Sequence, residues 1–375
     1  MLFSTPKLTP EEQAVVTRVE ELRRNLGRNT TQAKRWTGLL RRTAFARAIR
    51  GSNTIEGYNV TVDDALAAAE GEEPLEADAE TWAAITGYRN AMTYVLQLAS
   101  DPEFSYHADL IKSLHFMMIG HVLSKNPGRW RPGAIFVRND ELGETVYEGP
   151  DGDLVPGLVA DLVERLNTED KDAPAVVRAG MAHLNLVMIH PFSDGNGRMA
   201  RALQTLVLAR EGILEPPFCS IEEYLGRNTQ AYYDVLAEVG GGRWQPDRDA
   251  RPWLRFVLTA HYRQARTLLM RVREMEALWN LLEVEIKRKA LPERTLVALS
   301  DAANGYRVRN ATYRTGADVS EVVAGRDLKL LADNDLLVPA GEKRGRSYTA
   351  SKQLKALAKS VRQPRVVEDP FSTKG

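Results

Sequence analysis

Apolar residues recur at three- and four-residue steps along most of the 375-residue chain, the spacing of amphipathic helices, while strand-like alternation is scarce. Residues 11–50 read as one or two such helices, with Val15, Val19 and Leu22 on one face, then Trp36, Leu39, Leu40 and Phe45. The segment GSNTIEGYNVT (51–61) interrupts them, and Thr61-Val62-Asp63-Asp64 has the residue types of a capping box opening a short helix over 65–69. Trp82, Ile85, Tyr88, Met92, Val95 and Leu96 place a helix over 79–99, and another is expected over 109–122, before Pro127-Gly128.

A single β signal breaks the helical pattern. GAIFVR (133–138) and TVYEGP (145–150) flank a polar loop and predict a hairpin. Helices resume over 155–167, 175–189, 198–213 and 228–239, followed by a long one over 251–288 in which a break is expected. Beyond Ala290-Leu291-Pro292 the chain changes to short helices around 294–302, 310–315 and 320–334. Two strand-like pieces around a basic turn, LLVPAGEKRGRSYTAS, then follow, an order resembling a winged helix. After about Ser360 the pattern fades and a disordered tail is expected. The reading is a mainly α protein with a small hairpin. It divides into 1–100, a central helical core over 101–260, a connecting helix over 261–290, a winged-helix-like unit over 291–360 and the tail 361–375.

Composition narrows the classes. Fifty basic and fifty acidic residues cancel, so no global field draws nucleic acid or anionic membrane, and any such binding must be local. The one cysteine, Cys219, sits in PPFCSIE and reads as a buried structural thiol. The N-terminal residues lack a basic patch followed by an apolar core, and no apolar run nears the roughly 18 residues of a membrane span. A cytoplasmic protein without membrane attachment is expected. His107, His115 and His121 lack metal-site spacing, and His183, a heptad before His190 on an apolar helix, reads as a core or supporting residue.

The chemistry concentrates in MIHPFSDGNGRMAR (188–201). His190 precedes proline, which disfavours the α region and ends the preceding helix there. Phe192 is the one large apolar side chain of the turn and reads as a plug into the core. Gly195-Asn196-Gly197 opens the next helix, whose unpaired N–H groups lie at the positive end of a dipole, a ready anion site. Arg198 and Arg201, three apart, share a face of its first turn and can hold a polyphosphate. Asp194 would repel bare phosphate, so a bridging Mg²⁺ explains it better. His190 can take a proton near neutral pH as a general base. Each residue taken separately is compatible with an inert turn; together they describe phosphoryl or nucleotidyl transfer.

The twelve residues HPFSDGNGRMAR resemble, position by position, the signature HPFx(D/E)GNGRxxR of the Fic family. The resemblance implies a Fic-type helical core with the hairpin as a flap that holds a target segment. It also implies transfer of AMP from ATP to a Ser, Thr or Tyr hydroxyl of a target protein, with diphosphate leaving. By that resemblance His190 is the base, Asp194 holds Mg²⁺, and Gly195, Asn196 and Gly197 cradle the α- and β-phosphates. Arg198 binds the outer phosphates and Arg201 the γ-phosphate. Glu223-Tyr224 and Tyr232-Tyr233 resemble the family's segment lining the adenine and ribose pocket, with a plain core role as the alternative. Doc-type kinases differ in the second Gly-Arg portion, so Gly197-Arg198 favours AMP transfer over phosphate transfer.

Ser52-Asn53-Thr54-Ile55-Glu56-Gly57 resembles the family's inhibitory motif (S/T)xxxE(G/N). Glu56 paired with Arg201 would put a carboxylate where the γ-phosphate belongs, so activity is expected to be low and Glu56→Gly to raise it. The C-terminal unit carries Arg307, Arg309, Arg314, Lys343, Arg344 and Arg346, a local basic set that opens two readings: DNA binding, or protein docking and dimerisation. A DNA-binding regulator with a nucleotide-sensing core is the alternative function, and a kinase-like or phosphocholine-type transferase the third. Self-modification and homodimer formation are compatible with every reading.

Overall fold

The computed structural model describes residues 1–31, 35–139, 144–168, 173–341, 346–365 and 368–372. α1 (Pro10–Thr31) opens on a capping box: the Thr9 N–H donates to Glu12 Oε2 (2.8 Å) and the Glu12 N–H to Thr9 Oγ1 (3.2 Å). α2 (Thr37–Ile55), α3 (Val62–Glu70), α4 (Ala79–Ala99) and α5 (Ala108–Ile119) follow. Thr61 caps α3, accepting from the Asp64 N–H at 3.0 Å, and Asp78 caps α4, accepting from Thr81 at 2.7 Å. The next pieces are β1 (Phe136–Asn139) and β2 (Glu144–Glu148), antiparallel with Val137 opposite Tyr147. Tyr147 anchors this hairpin to the helical body, its buried hydroxyl donating to Met188 O at 2.8 Å.

α6 (Val155–Thr168), α7 (Ala175–Ile189) and α8 (Asn196–Ala209) complete the centre of the molecule. α7 and α8 pack side by side, and almost every residue of α8 is buried. A helix buried all round rests on close packing, so truncating Leu206, 0% exposed, to alanine would cost about 2–5 kcal/mol. Beyond it stand α9 (Pro216–Cys219), α10 (Glu222–Arg227), α11 (Thr229–Gly240) and α12 (Arg251–Arg288). α9 and α10 were not foreseen, being too short to carry a periodic pattern. α12, where a break was expected, runs unbroken for 38 residues and packs on α1 and α7.

The end of α2 is seated by backbone contact. A Cβ on Gly51 would lie 2.3 Å from Glu222 O, and one on Gly226 would lie 2.9 Å from the Gly51 Cα, so α2 and α10 touch where neither has a side chain. This close approach brings Ser52 and Glu56 to the N-terminus of α8. Cys219 is buried and free, and burial pushes its thiol up to about 11, as a structural thiol requires.

The C-terminal unit consists of α13 (Leu296–Ala303), β3 (Val308–Arg309), α14 (Asn310–Ala317), α15 (Glu321–Asp333), β4 (Leu337–Ala340), β5 (Ser347–Ala350) and α16 (Lys352–Ser360), with sheet order β3-β5-β4. Its basic set is less available than the sequence suggests. Arg307 Nε pairs with Asp63 Oδ2 at 2.9 Å and its Nη2 with Glu76; Arg309 Nη1 donates to Glu73 O at 3.1 Å; and Arg314 lies 3.8 Å from Glu321. Two of these arginines thus hold the unit against the α3 region, and Arg42 of α2 bridges Glu70 to Asp301 in the same way. Lys343 and Arg344 lie outside the described residues.

The disordered tail needs correction for its last described residues. Glu368 pairs with Arg266, Arg18 Nη2 donates to Pro370 O at 2.6 Å, and the Arg255 guanidinium lies 3.9 Å from the Phe371 ring centre. No helix among the described residues is long and apolar enough to cross a membrane.

Candidate active site

His190 ends α7 in a left-handed conformation, φ 51° and ψ 58°, which is costly for a side chain with a Cβ. Arg131 holds it there. This arginine, 3% exposed, donates from Nε to His190 O (2.8 Å) and from its backbone N–H to Pro191 O (2.9 Å), while Nη1 and Nη2 reach Gly133 O and Pro150 O. Nothing in the sequence marks Arg131, which comes from a loop 59 residues earlier. His190 Nδ1 lies 3.1 Å from Val187 O, an acceptor only, so the proton sits on Nδ1 and Nε2 keeps a free lone pair. Burial, joined by Arg131, pushes this imidazole down to about 4 against the Val187 hydrogen bond, so it is neutral at pH 7.

The turn that follows is held by two further groups. Phe192 is 0% exposed and stacks on the His115 ring with centres 3.7 Å apart. His115 Nδ1 accepts from the Gly128 N–H (2.9 Å), so Nε2 donates to Asp194 O (2.9 Å), and burial holds its pKa down at about 4. Asn196 closes the loop on itself: Oδ1 accepts from the Phe192 N–H and Nδ2 donates to Phe192 O, both at 2.9 Å. Its side chain is therefore committed, leaving only its backbone N–H for a ligand. Gly195 has φ +75°, and a Cβ there would lie 2.8 Å from Ile119 Cδ1.

Three charged groups meet at the N-terminus of α8. Arg201, 2% exposed, donates from Nε to Ser52 Oγ (2.8 Å) and from Nη2 to both Ser52 O (3.0 Å) and Glu56 Oε1 (2.7 Å). Among the described residues its Nη1 has no hydrogen-bond partner, and Arg198, 1% exposed, leaves Nε and Nη1 unpartnered as well. Buried guanidinium donors without acceptors are costly and point to an absent anion. Glu56 Oε1 occupies the cradle itself, since a Cβ on Gly197 would sit 2.6 Å from it. Burial works against this carboxylate, but Arg201 and Arg198 outweigh it and hold Glu56 below the ordinary carboxylate range.

Asp194 is 37% exposed at the mouth of the site. Its Oδ1 accepts from the Gly195 N–H at 2.6 Å, and its nearest side-chain cations, Lys125 and Arg198, stand at 3.8 and 4.0 Å. Among the described residues no group of three metal-ligating side chains forms.

The two tyrosines separate. Tyr232, expected to line a nucleotide pocket, is instead 1% exposed behind Arg201, its hydroxyl donating to His183 Nε2 at 2.9 Å. His183 Nδ1 in turn donates to Gln204 Oε1 (2.7 Å), and Gln204 Nε2 to His261 Nε2 (3.1 Å), a buried polar relay that agrees with a supporting His183. Tyr233 is 46% exposed and donates to Ile55 O at 2.9 Å, beside Glu56. Glu223 is bound by Arg271 (2.5 Å) and Arg227 (2.5 Å), and the Tyr224 hydroxyl accepts from Arg263 at 3.3 Å, so neither faces the cradle. Sequence reasoning also missed Glu222, which Tyr88 and Ser220 hold beneath α2; burial pushes its carboxyl up to about 7.

A helix-turn-helix that presents a neutral imidazole, a glycine-lined N-terminus and two buried arginines defines an anion-handling site on a mainly α body. Residues 105–208 match the Fic/DOC family. Two curated relatives are each called protein adenylyltransferase Fic. The one from Nematostella vectensis is 31% identical over 57% of this chain and 46% of its own length. The one from Culex quinquefasciatus is 33% identical over 56% and 38%. The chain thus spans about half the length, or less, of these relatives. The solved structure of a Fic family protein from Desulfovibrio desulfuricans G20 shares the fold with a TM-score of 0.59 at 22% identity, covering 93% of this chain and 98% of that one.

Proposed function

We propose that this protein is a protein adenylyltransferase, transferring AMP from ATP to a Ser, Thr or Tyr hydroxyl of a target protein and held off by its own Glu56. The observation that carries the reading is Arg198, almost fully buried with two unpartnered donors, next to an Arg201 fork that Glu56 occupies. Unpaired guanidinium groups at a glycine-opened helix N-terminus fit a polyphosphate. The relatives' name, protein adenylyltransferase, supplies the nucleotide and the reaction.

In the transfer, the target oxygen forms a bond to the α-phosphorus, the bond from that phosphorus to the bridging oxygen breaks, and diphosphate leaves with the electron pair. The hydroxyl proton goes to His190 Nε2, whose lone pair the Val187 hydrogen bond keeps free. Arg131 fixes the imidazole's backbone, and Asn196 and His115 fix the turn, so the base and the cradle keep one geometry. Arg201 and Arg198 bind the outer phosphates once Glu56 withdraws, and the first N–H groups of α8 receive the inner ones. Asp194 would hold a Mg²⁺ through its carboxylate, which is partly exposed and not tightly paired. Such an ion would neutralise phosphate charge.

In the inhibited state Glu56 puts a negative charge in the cradle and uses one guanidinium donor that the γ-phosphate needs. The hairpin β1–β2 offers the target an edge strand, and exposed Phe136 and Val146 suit such β-augmentation. A winged-helix reading of the C-terminal unit agrees with its helix and strand order; its inward-turned Arg307 and Arg309 favour intramolecular docking over DNA. A cytoplasmic location belongs to the same reading. Incubation of the Glu56→Gly protein with α-labelled and γ-labelled ATP tests the reaction: label from the α-position alone on protein supports AMP transfer, and label from the γ-position contradicts it.

A further inference from the structure

A cleft of about 700 Å³ lies between α1, α10, α12 and the C-terminal segment, away from the residues of the candidate active site. Arg18, Arg227, Arg263, Arg266, Arg273 and Arg365 line it, against two carboxylates, Glu21 and Glu368. On a chain whose formal charge is zero, this is a local excess that folding alone opposes, because like charges in one cleft repel. Burial and the neighbouring Arg271, Arg365 and Arg47 hold the Arg227 guanidinium below the ordinary value, against the pull of Glu223.

The cleft already accepts one anion of the chain's own. Glu368 pairs with Arg266, its backbone oxygen accepts from Arg263 Nε at 3.0 Å, and the Tyr262 hydroxyl donates to it at 3.1 Å. Arg18 is engaged with Pro370 O and Arg227 with Glu223. Arg273 and Arg365 are exposed and have no hydrogen-bond or ion-pair partner among the described residues. Glu368 and Glu223 each answer one arginine, and Arg18, Arg263, Arg273 and Arg365 have no carboxylate partner among the described residues. The volume is that of a small-molecule pocket rather than a track for a nucleic acid. The Tyr224 ring and the Asn25, Asn228 and Gln363 amides add neutral recognition groups.

We propose that this cleft is a binding site for a compact, multiply charged anion, a small molecule carrying two or more phosphate groups, separate from the site at α8. Tripolyphosphate is the probe, added to the full chain at low ionic strength. Hydrogen–deuterium exchange read by mass spectrometry is expected to show protection in peptides 222–228 and 262–273. Calorimetry on Arg273→Gln/Arg365→Gln is expected to show affinity at this site weakened about tenfold or more, since each lost charge-assisted contact is worth about that factor. Arg273→Lys/Arg365→Lys is expected to keep most of the affinity, and an unchanged melting curve of the Gln variant shows that its fold is intact. Protection confined to 190–201, or equal affinity in the Gln variant, overturns the proposal, whatever the outcome for AMP transfer.

Discussion

Glu56→Gly is the perturbation whose consequences can be worked out furthest. The substitution removes the acceptor 2.7 Å from Arg201 Nη2 and the oxygen that a Cβ on Gly197 would approach to 2.6 Å. Arg201 keeps Ser52 Oγ and Ser52 O, so the guanidinium stays placed but loses its one charged partner among these contacts. A hydrogen bond between charged groups contributes about 1.5–3 kcal/mol, so the variant should be less stable by roughly that amount. The same energy no longer competes with the γ-phosphate, which corresponds to a rise in AMP transfer of about 10- to 150-fold. Two assays read the two sides: incorporation of label from α-labelled ATP, and the melting temperature with and without ATP. The expected result is a lower melting temperature, partly restored by ATP, together with higher labelling. A lower melting temperature with unchanged labelling would refute the reasoning and leave Glu56 as a structural cap of α2.

Three further outcomes follow from the same geometry. His190→Ala in the Glu56→Gly background should lower labelling by about 10²–10⁴-fold while ATP binding, measured by calorimetry, is retained. Arg131→Lys replaces a planar fork that spans four backbone carbonyls by a point charge; kcat should fall more than KM for ATP rises, because the backbone of His190 is released while Arg198 and Arg201 are untouched. His115, His183 and His261 are buried with pKa values held to about 4, 3 and 3, below the ordinary 6.5. The unfolded chain therefore binds protons first, and stability that is full above pH 6.5 is lost as the pH falls towards 4. The three together should cost about 3 kcal/mol between about pH 6.5 and 5.5, seen as a falling melting temperature, and a midpoint constant from pH 7 to 5 would contradict the assignment.

The legibility of this site follows sequence distance. His190 to Arg201 could be read directly because a proline, two glycines and two arginines act within one turn, each through its own backbone or side-chain chemistry. Glu56 was readable only through the resemblance, since no local property of Ser52 or Glu56 says that Arg201 lies against them; the Gly51–Gly226 contact makes that meeting. Arg131 and His115 were invisible because their work is done on backbone oxygens of residues 59 and 79 positions away. Tyr232 misled because helical spacing cannot tell an aromatic that faces a ligand from one that backs Arg201. The main helices were written in their periodicity, whereas α9 and α10 are too short for a period to show. The basic set at Arg307 and Arg309 looked free because Asp63, Glu73 and Glu76 are over 200 residues away in sequence.

The most direct test is mass spectrometry of a cell lysate incubated with ATP and the Glu56→Gly protein, with Glu56→Gly/His190→Ala as the control. The account predicts peptides carrying the mass of an AMP group on Ser, Thr or Tyr in the first sample and none in the control. Peptides carrying phosphate instead, or AMP at equal levels in both samples, would contradict it.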